Sequence, residues 1–251
     1  MNILITSGGT SEKIDDVRHL TNHATGRLGK EIAQALEEDG ITIHYVHGPK
    51  AVLPKASNCQ FYPIASVSEL YTIMEKLLTT ISFDYVIHSM AVSDYELDAA
   101  TDEVLLAQTI AQYVMKQSFT TEAELTEIIK NSLFDSEALQ QKAQKKISSK
   151  NEKLILMMKK APKVIGHIKQ WQPETHLIGF KLLVDVSEEH LVSIAQESIT
   201  KNQADLILAN DLTQISDNQH HALLVSKNGI EQRFSTKQDI AQGIKKIILS
   251  N

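Results

Sequence analysis

The 251-residue chain has a single cysteine, Cys59, and no hydrophobic run of membrane-spanning length. One cysteine excludes an internal disulfide and a zinc cluster built on cysteines. Acidic residues outnumber basic ones by 31 to 25, and the net charge of −6 provides no overall basic field that would attract nucleic acid. The first predicted strand follows Met1 directly, so we expect no signal peptide. These features predict a cytoplasmic protein that binds neither nucleic acid nor membranes.

Hydrophobic residues make up 42% of the chain and charged residues 22%, values typical of a globular protein. Apolar strand patterns alternate with helical patterns, which indicates a mainly parallel sheet covered on both faces. We therefore predict an α/β fold, a Rossmann-like three-layer sandwich that ends in a hairpin around Asn228-Gly229 and a final helix. The predicted strands start near Ile3, Ile41, Cys59, Phe83, Leu154, His176 and Asp205.

The stretch from Glu96 to about Lys142 lacks glycine and proline and is rich in helix formers, which predicts two or three inserted helices. A lysine-rich segment follows. We expect one domain spanning residues 1–251, with a helical arm and a flexible flap at about 96–150. A lysine run is usually a solvated surface. The alternative is that one of these lysines closes over a bound polyphosphate.

The long connection between the first strand and the first helix, within Ile3–Gly29, is the most informative part of the sequence. Two glycine-bearing turns flank it, and Thr25-Gly26 lies where a helix N-cap is expected. Unpaired N–H groups at a helix start favour anions, and glycines allow close backbone approach. The connection therefore predicts a phosphate site, although an ordinary surface loop is the alternative. Its polar and glycine residues include Ser7, Gly8, Gly9, Thr10, Asp15, Arg18, Asn22, Thr25 and Gly26.

Three further strands end in polar or glycine-bearing segments, at Ser89–Asp94, Gly179-Phe180 and Ala209–Asp211. The carboxyl ends of parallel strands share one edge of a sheet, so these segments can meet in one crevice. Asp94 fits equally well as a plain turn residue. His220 and His221 have no metal-ligand spacing, and we expect both at the surface.

The motifs together resemble the phosphopantothenoylcysteine synthetase family, in its stand-alone bacterial form. The resemblance spans nearly the whole predicted core in the right order. It rests on SGGTSEKIDDVRHLTNHATGRLG at 7–29, AVSDY at 91–95, KISS at 146–149, KKAPKVI at 159–165, GFK at 179–181 and KNQADLILAND at 201–211.

The resemblance implies a ligase that joins 4′-phosphopantothenate to L-cysteine in coenzyme A synthesis. It implies CTP, or ATP as in eukaryotic members, as co-substrate, with Mg²⁺ bound mainly through the triphosphate. An acyl-cytidylate is the implied intermediate, and CMP and pyrophosphate are the implied products. Family members generally form homodimers.

The resemblance also implies roles for individual residues. Asn22 matches the asparagine that hydrogen-bonds the activated acyl group, and Lys146 matches the lysine of a flexible flap, although adjacent Lys145 is an alternative. Arg18 matches a residue that holds the substrate phosphate or orders the loop. The implied nucleotide-binding residues are Ser7, Gly8, Gly9, Thr10, Thr25, Gly26, Asp94, Phe180, Ala209, Asn210 and Asp211.

Two other functions remain open at this level. An NAD(P)-dependent Rossmann oxidoreductase is disfavoured because the second strand ends at His47-Gly48-Pro49 without the acid that holds a ribose, and because no Tyr-x-x-x-Lys pair occurs. A non-catalytic nucleotide-binding regulator is disfavoured because binding alone requires neither Asn22 nor Lys146.

Overall fold

The computed structural model describes residues 1–134, 153–216 and 219–250. The strands are β1 (Asn2–Ser7), β2 (Ser11–Lys13), β3 (His19–Thr21), β4 (Thr42–His47), β5 (Cys59–Pro63), β6 (Tyr85–His88), β7 (Tyr95–Asp102), β8 (Leu154–Lys160), β9 (His176–Leu183), β10 (Leu206–Asp211), β11 (Ala222–Ser226) and β12 (Gly229–Phe234). The helices are α1 (Arg27–Ala35), α2 (Val67–Thr80), α3 (Glu103–Met115), α4 (Glu122–Phe134), α5 (Ile165–Trp171), α6 (Glu188–Asn202) and α7 (Lys237–Ser250), with a 3-10 turn at Leu212–Gln214. None of these helices is both long and apolar enough to cross a membrane.

Contacts between Cα atoms divide the chain into two compact units. The first contains Met1–Ser11, Thr21–Ser93 and Pro162–Asn251, and the second contains Glu12–Leu20 and Asp94–Ala161. One domain spanning residues 1–251 stays a prediction. The flap, with Lys145 and Lys146, lies outside the described residues.

The first unit holds an eight-stranded sheet in the order β12-β11-β10-β9-β6-β1-β4-β5. The six strands from β10 to β5 run parallel, and β11 and β12 form the antiparallel hairpin at the other edge. The strand order reverses at β1, which is the switch point where open α/β sheets bind ligands. The predicted Rossmann-like α/β fold is confirmed.

Helices cover both faces of this sheet. α1 and α7 pack together on one face, around a core that includes Ile3, Ile5, Ile32 and Ile244, all fully buried. On the other face, α5 packs between α2 and α6 and contacts both. Each buried strand has apolar side chains on both faces, as expected for a parallel sheet.

The predicted start of the helical arm, at Glu96, is wrong. Residues 95–102 form β7 rather than a helix, and β7 pairs antiparallel with β8. Ala99 and Thr101 alternate as buried residues along β7, so pairing with a distant strand overrides the local preference for helix. The helices α3 and α4 follow, as predicted. The connection after β1 is also more ordered than a polar loop, because β2 and β3 pair within it.

Candidate functional site

The turn after β1 packs directly against the start of α1. Gly26 is the residue that precedes α1, and its φ of 71° lies in the left-handed region that glycine tolerates. A Cβ at Gly26 would lie 2.9 Å from Ser7 Oγ and 3.2 Å from the Gly8 nitrogen. The Ser7 hydroxyl donates to the Gly26 carbonyl at 3.1 Å. The turn after β1 and the turn at Gly26 are therefore in direct contact. No ligand fits between the two turns, so a ligand would bind on their outer surface.

Several backbone N–H groups on these turns have no partner. Within the described residues, the N–H groups of Gly8, Gly9 and Leu28 donate to no other group. No side chain caps α1, and its first turn carries no acid. Free N–H groups on adjoining turns, with a helix dipole behind them, are suited to bind an anion, and we propose that they do so here. We call this group the N–H nest.

The turn after β4 supports the N–H nest, a role that the sequence analysis missed. Gly48 N–H donates to the Ser7 carbonyl at 3.0 Å, and Val52 N–H donates to the Thr25 carbonyl at 3.0 Å. Residues 48–52 therefore tie the β1 turn to the segment before α1. The glycine and proline after β4 signal a turn, but only the parallel pairing of β1 with β4 brings that turn here.

Asn22, which directly follows β3, is held in the same region by the segment after β6. Its side-chain Nδ2 donates to the Ala91 carbonyl at 3.1 Å. Ala91 also pairs with the β1 turn, because Thr10 N–H donates to its carbonyl and its own N–H donates to the Gly8 carbonyl. The structure therefore brings Asn22 beside the crevice between β1 and β6. Its predicted role in catalysis stays a prediction.

Two predicted side chains serve the protein's own packing. The Ser7 hydroxyl is buried on Gly26, and the buried Thr10 hydroxyl accepts the Ser93 N–H at 3.0 Å. Thr25 is exposed, and its hydroxyl faces the Arg27 N–H at 3.4 Å. The backbone at Gly9 and Gly26 is half-buried and so more accessible than the buried hydroxyls of Ser7 and Thr10.

Arg18 and Asp94 belong to the second unit. The Arg18 guanidinium donates from Nε and Nη2 to the buried Asp15 carboxylate, at 3.0 and 2.6 Å. Of the two predicted roles for Arg18, ordering the loop is the one that this pair supports. Asp94 is exposed, and its carbonyl accepts the Ala161 N–H at 3.0 Å.

The predicted residues on β9 and β10 differ in what they can offer a ligand. Phe180 is half-buried against the core. Ala209 is fully buried on β10, which pairs with β9 on one side and β11 on the other. The Asp211 carboxylate accepts hydrogen bonds from the N–H groups of Val186, Thr213 and Asp185, and from the Thr213 hydroxyl. These bonds lower the pKa of Asp211 to about 2, and the bond from Val186 has the largest effect. The Asp211 carboxylate therefore orders the segments that follow β9 and β10.

Two buried histidines were missed or misplaced by the sequence analysis. His88 lies under the switch point, where its Nδ1 is 3.0 Å from the Thr6 hydroxyl. The same hydroxyl accepts the Met90 N–H at 3.3 Å. His220 was expected at the surface, which is wrong: it is 7% exposed and contacts Asn210. Its neighbour His221 is exposed, as expected.

We expect the free energy of unfolding to rise with pH between about 4 and 6.5. Burial lowers the pKa of His88 from 6.5 to about 4, so in this window the unfolded chain binds a proton that the folded chain does not. For His88 alone this amounts to roughly 3 kcal/mol, lost as pH falls through the window. Urea unfolding at several pH values measures the slope. His88→Gln should reduce the dependence of the unfolding free energy on pH, and the dependence that remains should come from His220. An unchanged dependence in the variant would contradict the role given to His88.

The fold defines a protein of the doubly wound class, with the N–H nest as a candidate anion site at the switch point of its sheet. Comparison with known proteins narrows this class. The chain matches the family described as DNA/pantothenate metabolism flavoprotein C-terminal domain over residues 1–109 and 115–251. The chain belongs to this family.

Individual relatives agree with this assignment. The coenzyme A biosynthesis bifunctional protein CoaBC of Thermococcus kodakarensis is 27% identical over 241 residues, which cover 96% of this chain and 49% of that protein. The CoaBC of Methanocaldococcus jannaschii is 26% identical over 99% of this chain and 51% of its own length. The chain thus spans about half the length of these curated relatives.

Solved structures show the same fold. The DNA/pantothenate metabolism flavoprotein from Streptococcus pneumoniae is 42% identical, with a TM-score of 0.80 over 100% of this chain and 99% of its own. A Cab2 mutant in complex with phosphopantothenate-cysteine is 14% identical, with a TM-score of 0.66 over 99% of this chain and 86% of its own.

Proposed function

We propose that the protein is a phosphopantothenate–cysteine ligase of coenzyme A biosynthesis. The observation that carries the proposal is the N–H nest beside Asn22, which offers a polyphosphate site next to a neutral amide. The CoaBC relatives and the phosphopantothenate-cysteine held by Cab2 support the substrate class. An ordinary dinucleotide site has less support, because β4 ends without an acid.

The proposed reaction has two steps. The carboxylate of 4′-phosphopantothenate attacks the α-phosphorus of the nucleotide, and the bond to the β-phosphate breaks to release pyrophosphate. The amine of L-cysteine then attacks the acyl carbon, and the acyl–oxygen bond breaks to release the nucleoside monophosphate. The amine loses one proton as the amide forms. Activation is necessary because a free carboxylate is a poor acyl donor.

The residues of this chain would orient the reactants. The N–H nest would hold phosphate oxygens, which favour free N–H groups at a helix start. One N–H of the Asn22 amide is bound to Ala91, and the other is available for the acyl oxygen. Lys146, outside the described residues, is proposed to lie over the α-phosphate, with Lys145 as the alternative. Asp94 and Phe180 are proposed to contact the nucleotide.

We propose CTP as the nucleotide, with ATP as the alternative, and Mg²⁺ as the accompanying ion. Among residues 1–134, 153–216 and 219–250, no three His, Cys, Asp or Glu side chains form a group that could hold a metal ion. The ion is proposed to bind mainly through the triphosphate. The ion would share the negative charge of the phosphates.

Pyrophosphate release tests the proposal. The protein is incubated with CTP and Mg²⁺, with and without 4′-phosphopantothenate and L-cysteine. We expect pyrophosphate only when the acid is present, and the amide product only when cysteine is added as well. CTP binding without release would identify a nucleotide-binding regulator instead. Reduction of NAD(P) with a hydroxy substrate, without CTP use, would identify an oxidoreductase.

We also propose that the protein forms a homodimer through α3. This helix carries an exposed stripe of uncharged residues at helical spacing, namely Val104, Ala107, Ala111 and Met115. Val104 is 58% exposed and Met115 is 85% exposed. Apolar stripes of this kind commonly mark contacts between proteins, and small residues allow close helix packing.

We expect Ala111→Arg to convert the dimer to a monomer, because a long charged side chain in the centre of the stripe cannot be buried against its symmetric copy. Light scattering coupled to size exclusion measures the mass. Ala123→Arg, on an exposed position of α4, is the matched control and should leave the mass unchanged. A wild-type monomer at micromolar concentration, or an unaffected dimer in Ala111→Arg, would contradict this interface.

A further inference from the structure

Asn210 and His220 form a buried side-chain pair at the carboxyl end of β10. Asn210 is 8% exposed and His220 is 7% exposed. The distance from Asn210 Nδ2 to His220 Nε2 is 3.3 Å. His220 is itself held in place by its backbone, because its N–H donates to the Ser235 carbonyl at 2.8 Å.

The contact defines the state of the His220 ring. The Asn210 amide nitrogen faces Nε2, and an amide nitrogen can only donate, so in this orientation of the amide Nε2 is the acceptor and the ring hydrogen lies on Nδ1. Burial, with smaller contributions from nearby Lys237 and His221, lowers the pKa of His220 to about 4. The imidazole is therefore neutral near pH 7, which agrees with an accepting Nε2.

Only one edge of the Asn210 amide is used within the protein. Its side chain makes no other hydrogen bond within the described residues. Asn210 lies opposite Leu182 on β9, and Leu182 is 49% exposed. His220 Nδ1 is buried and has no partner in the described part of the chain, a cost that packing alone does not explain. Within the described residues the carbonyl edge of the Asn210 amide likewise has no hydrogen-bond donor.

We propose that His220 is a positioning residue that orients the Asn210 amide so that its carbonyl oxygen accepts a hydrogen bond from the bound nucleoside. An asparagine amide that rotates by half a turn would present NH₂ instead of oxygen. An imidazole that carries its hydrogen on Nδ1 can only accept at Nε2, and this tautomer opposes that rotation. The nucleoside group at this position must therefore be a donor, either an exocyclic amine or a ribose hydroxyl. The inference rests on the proposed nucleotide-dependent function.

The two donor sources are separated by comparing nucleotides. UTP carries a carbonyl where CTP carries an exocyclic amine, and 2′-deoxy-CTP lacks one ribose hydroxyl. Affinities of the three are measured calorimetrically for the wild type, His220→Phe, His220→Gln and His221→Gln. Phe keeps the ring but removes the acceptor, Gln keeps an acceptor at the position of Nε2, and His221→Gln is the exposed neighbouring control.

If the donor is the amine, we expect the preference for CTP over UTP to fall roughly tenfold in His220→Phe, the value of one hydrogen bond of about 1.4 kcal/mol. If it is the hydroxyl, the preference for CTP over 2′-deoxy-CTP should fall instead. His220→Gln should retain most of the preference, and His221→Gln all of it. Equal loss of affinity for all three nucleotides in His220→Phe would show that His220 is merely structural and would overturn the inference.

A spectroscopic measurement on the wild type tests the orientation independently. Nitrogen-15 shifts distinguish the two neutral tautomers of histidine, and we expect His220 to carry its hydrogen on Nδ1. A hydrogen on Nε2 would overturn the inference even if the ligase assay succeeds. Failure of the wild type to bind any nucleotide would instead overturn the proposed function, and with it this inference.

Discussion

Replacing Asn22 by alanine should reduce amide formation by about 100- to 1000-fold, the usual effect of removing one donor that stabilises charge in a transition state. Asn22 is exposed, and its amide reaches the crevice between β1 and β6 by donating to the Ala91 carbonyl. Its removal leaves the N–H nest in place, because no N–H of Gly8, Gly9 or Leu28 depends on the Asn22 side chain. Affinity for CTP should therefore change little. Steady-state kinetics and calorimetric binding measure the two effects separately.

Two further variants sharpen this experiment. Asn22→Asp keeps the shape but removes the donor and places a carboxylate beside the Ala91 carbonyl, so it should be as inactive as Asn22→Ala. His23→Ala changes the adjacent exposed residue and should retain activity. If Asn22→Ala loses CTP binding and folding together, Asn22 is a structural residue and its proposed role is wrong.

The parallel core was predictable because its signals are local. The apolar runs of β1, β4, β6, β9 and β10 each identify a buried strand, and helical periodicity identifies α2 and α6 between them. The turn residues Asn228 and Gly229 similarly indicate the hairpin of β11 and β12. In each case neighbouring residues carry the information, and the alternation of strands and helices then determines the class of sheet.

The elements that were missed depend on distant pairing. β7 is rich in helix formers, and only its pairing with β8, more than fifty residues later, makes it a strand. His220 follows a polar segment that suggests a surface, yet the return of the chain against β10 buries it beside Asn210. Neither arrangement leaves a periodic pattern in the local sequence.

The candidate site also combines features that the local sequence indicates with features that depend on distant contacts. The glycines and threonines of the first connection indicate a phosphate site, and the free N–H groups of Gly8 and Gly9 support it. Ser7 and Thr10 are among the implied nucleotide-binding residues, but their hydroxyls are bonded to backbone groups of the protein. Sequence identifies which residue types meet in a turn, whereas the direction of each side chain depends on what packs above it. Gly48 illustrates this most clearly, because nothing in its own segment signals contact with Gly9.

Replacing Gly48 by alanine should destabilise the protein by about 3 kcal/mol and weaken CTP binding by more than roughly tenfold. A Cβ at Gly48 would lie 2.1 Å from the Gly9 carbonyl oxygen and 3.0 Å from its carbonyl carbon. Because these are backbone atoms, no side-chain rotation relieves the contact, and the β1 turn must move. That movement displaces the N–H groups of Gly8 and Gly9, so stability and affinity should fall together. We expect a decrease in melting temperature of about 6–12 °C for a chain of this size.

Gly166→Ala is the matched control for this substitution. Gly166 lies in α5, and the nearest atom to a Cβ there is Asn202 Oδ1 at 3.7 Å, an ordinary contact. Alanine favours a helix over glycine by up to about 1 kcal/mol, so this variant should be as stable as the wild type or more stable, with CTP affinity unchanged. Thermal unfolding and calorimetric titration of both variants provide the comparison. A Gly48→Ala protein that melts and binds CTP like the wild type would show that the turn after β4 does not support the N–H nest, and the phosphate site would then have to be sought elsewhere on the sheet edge.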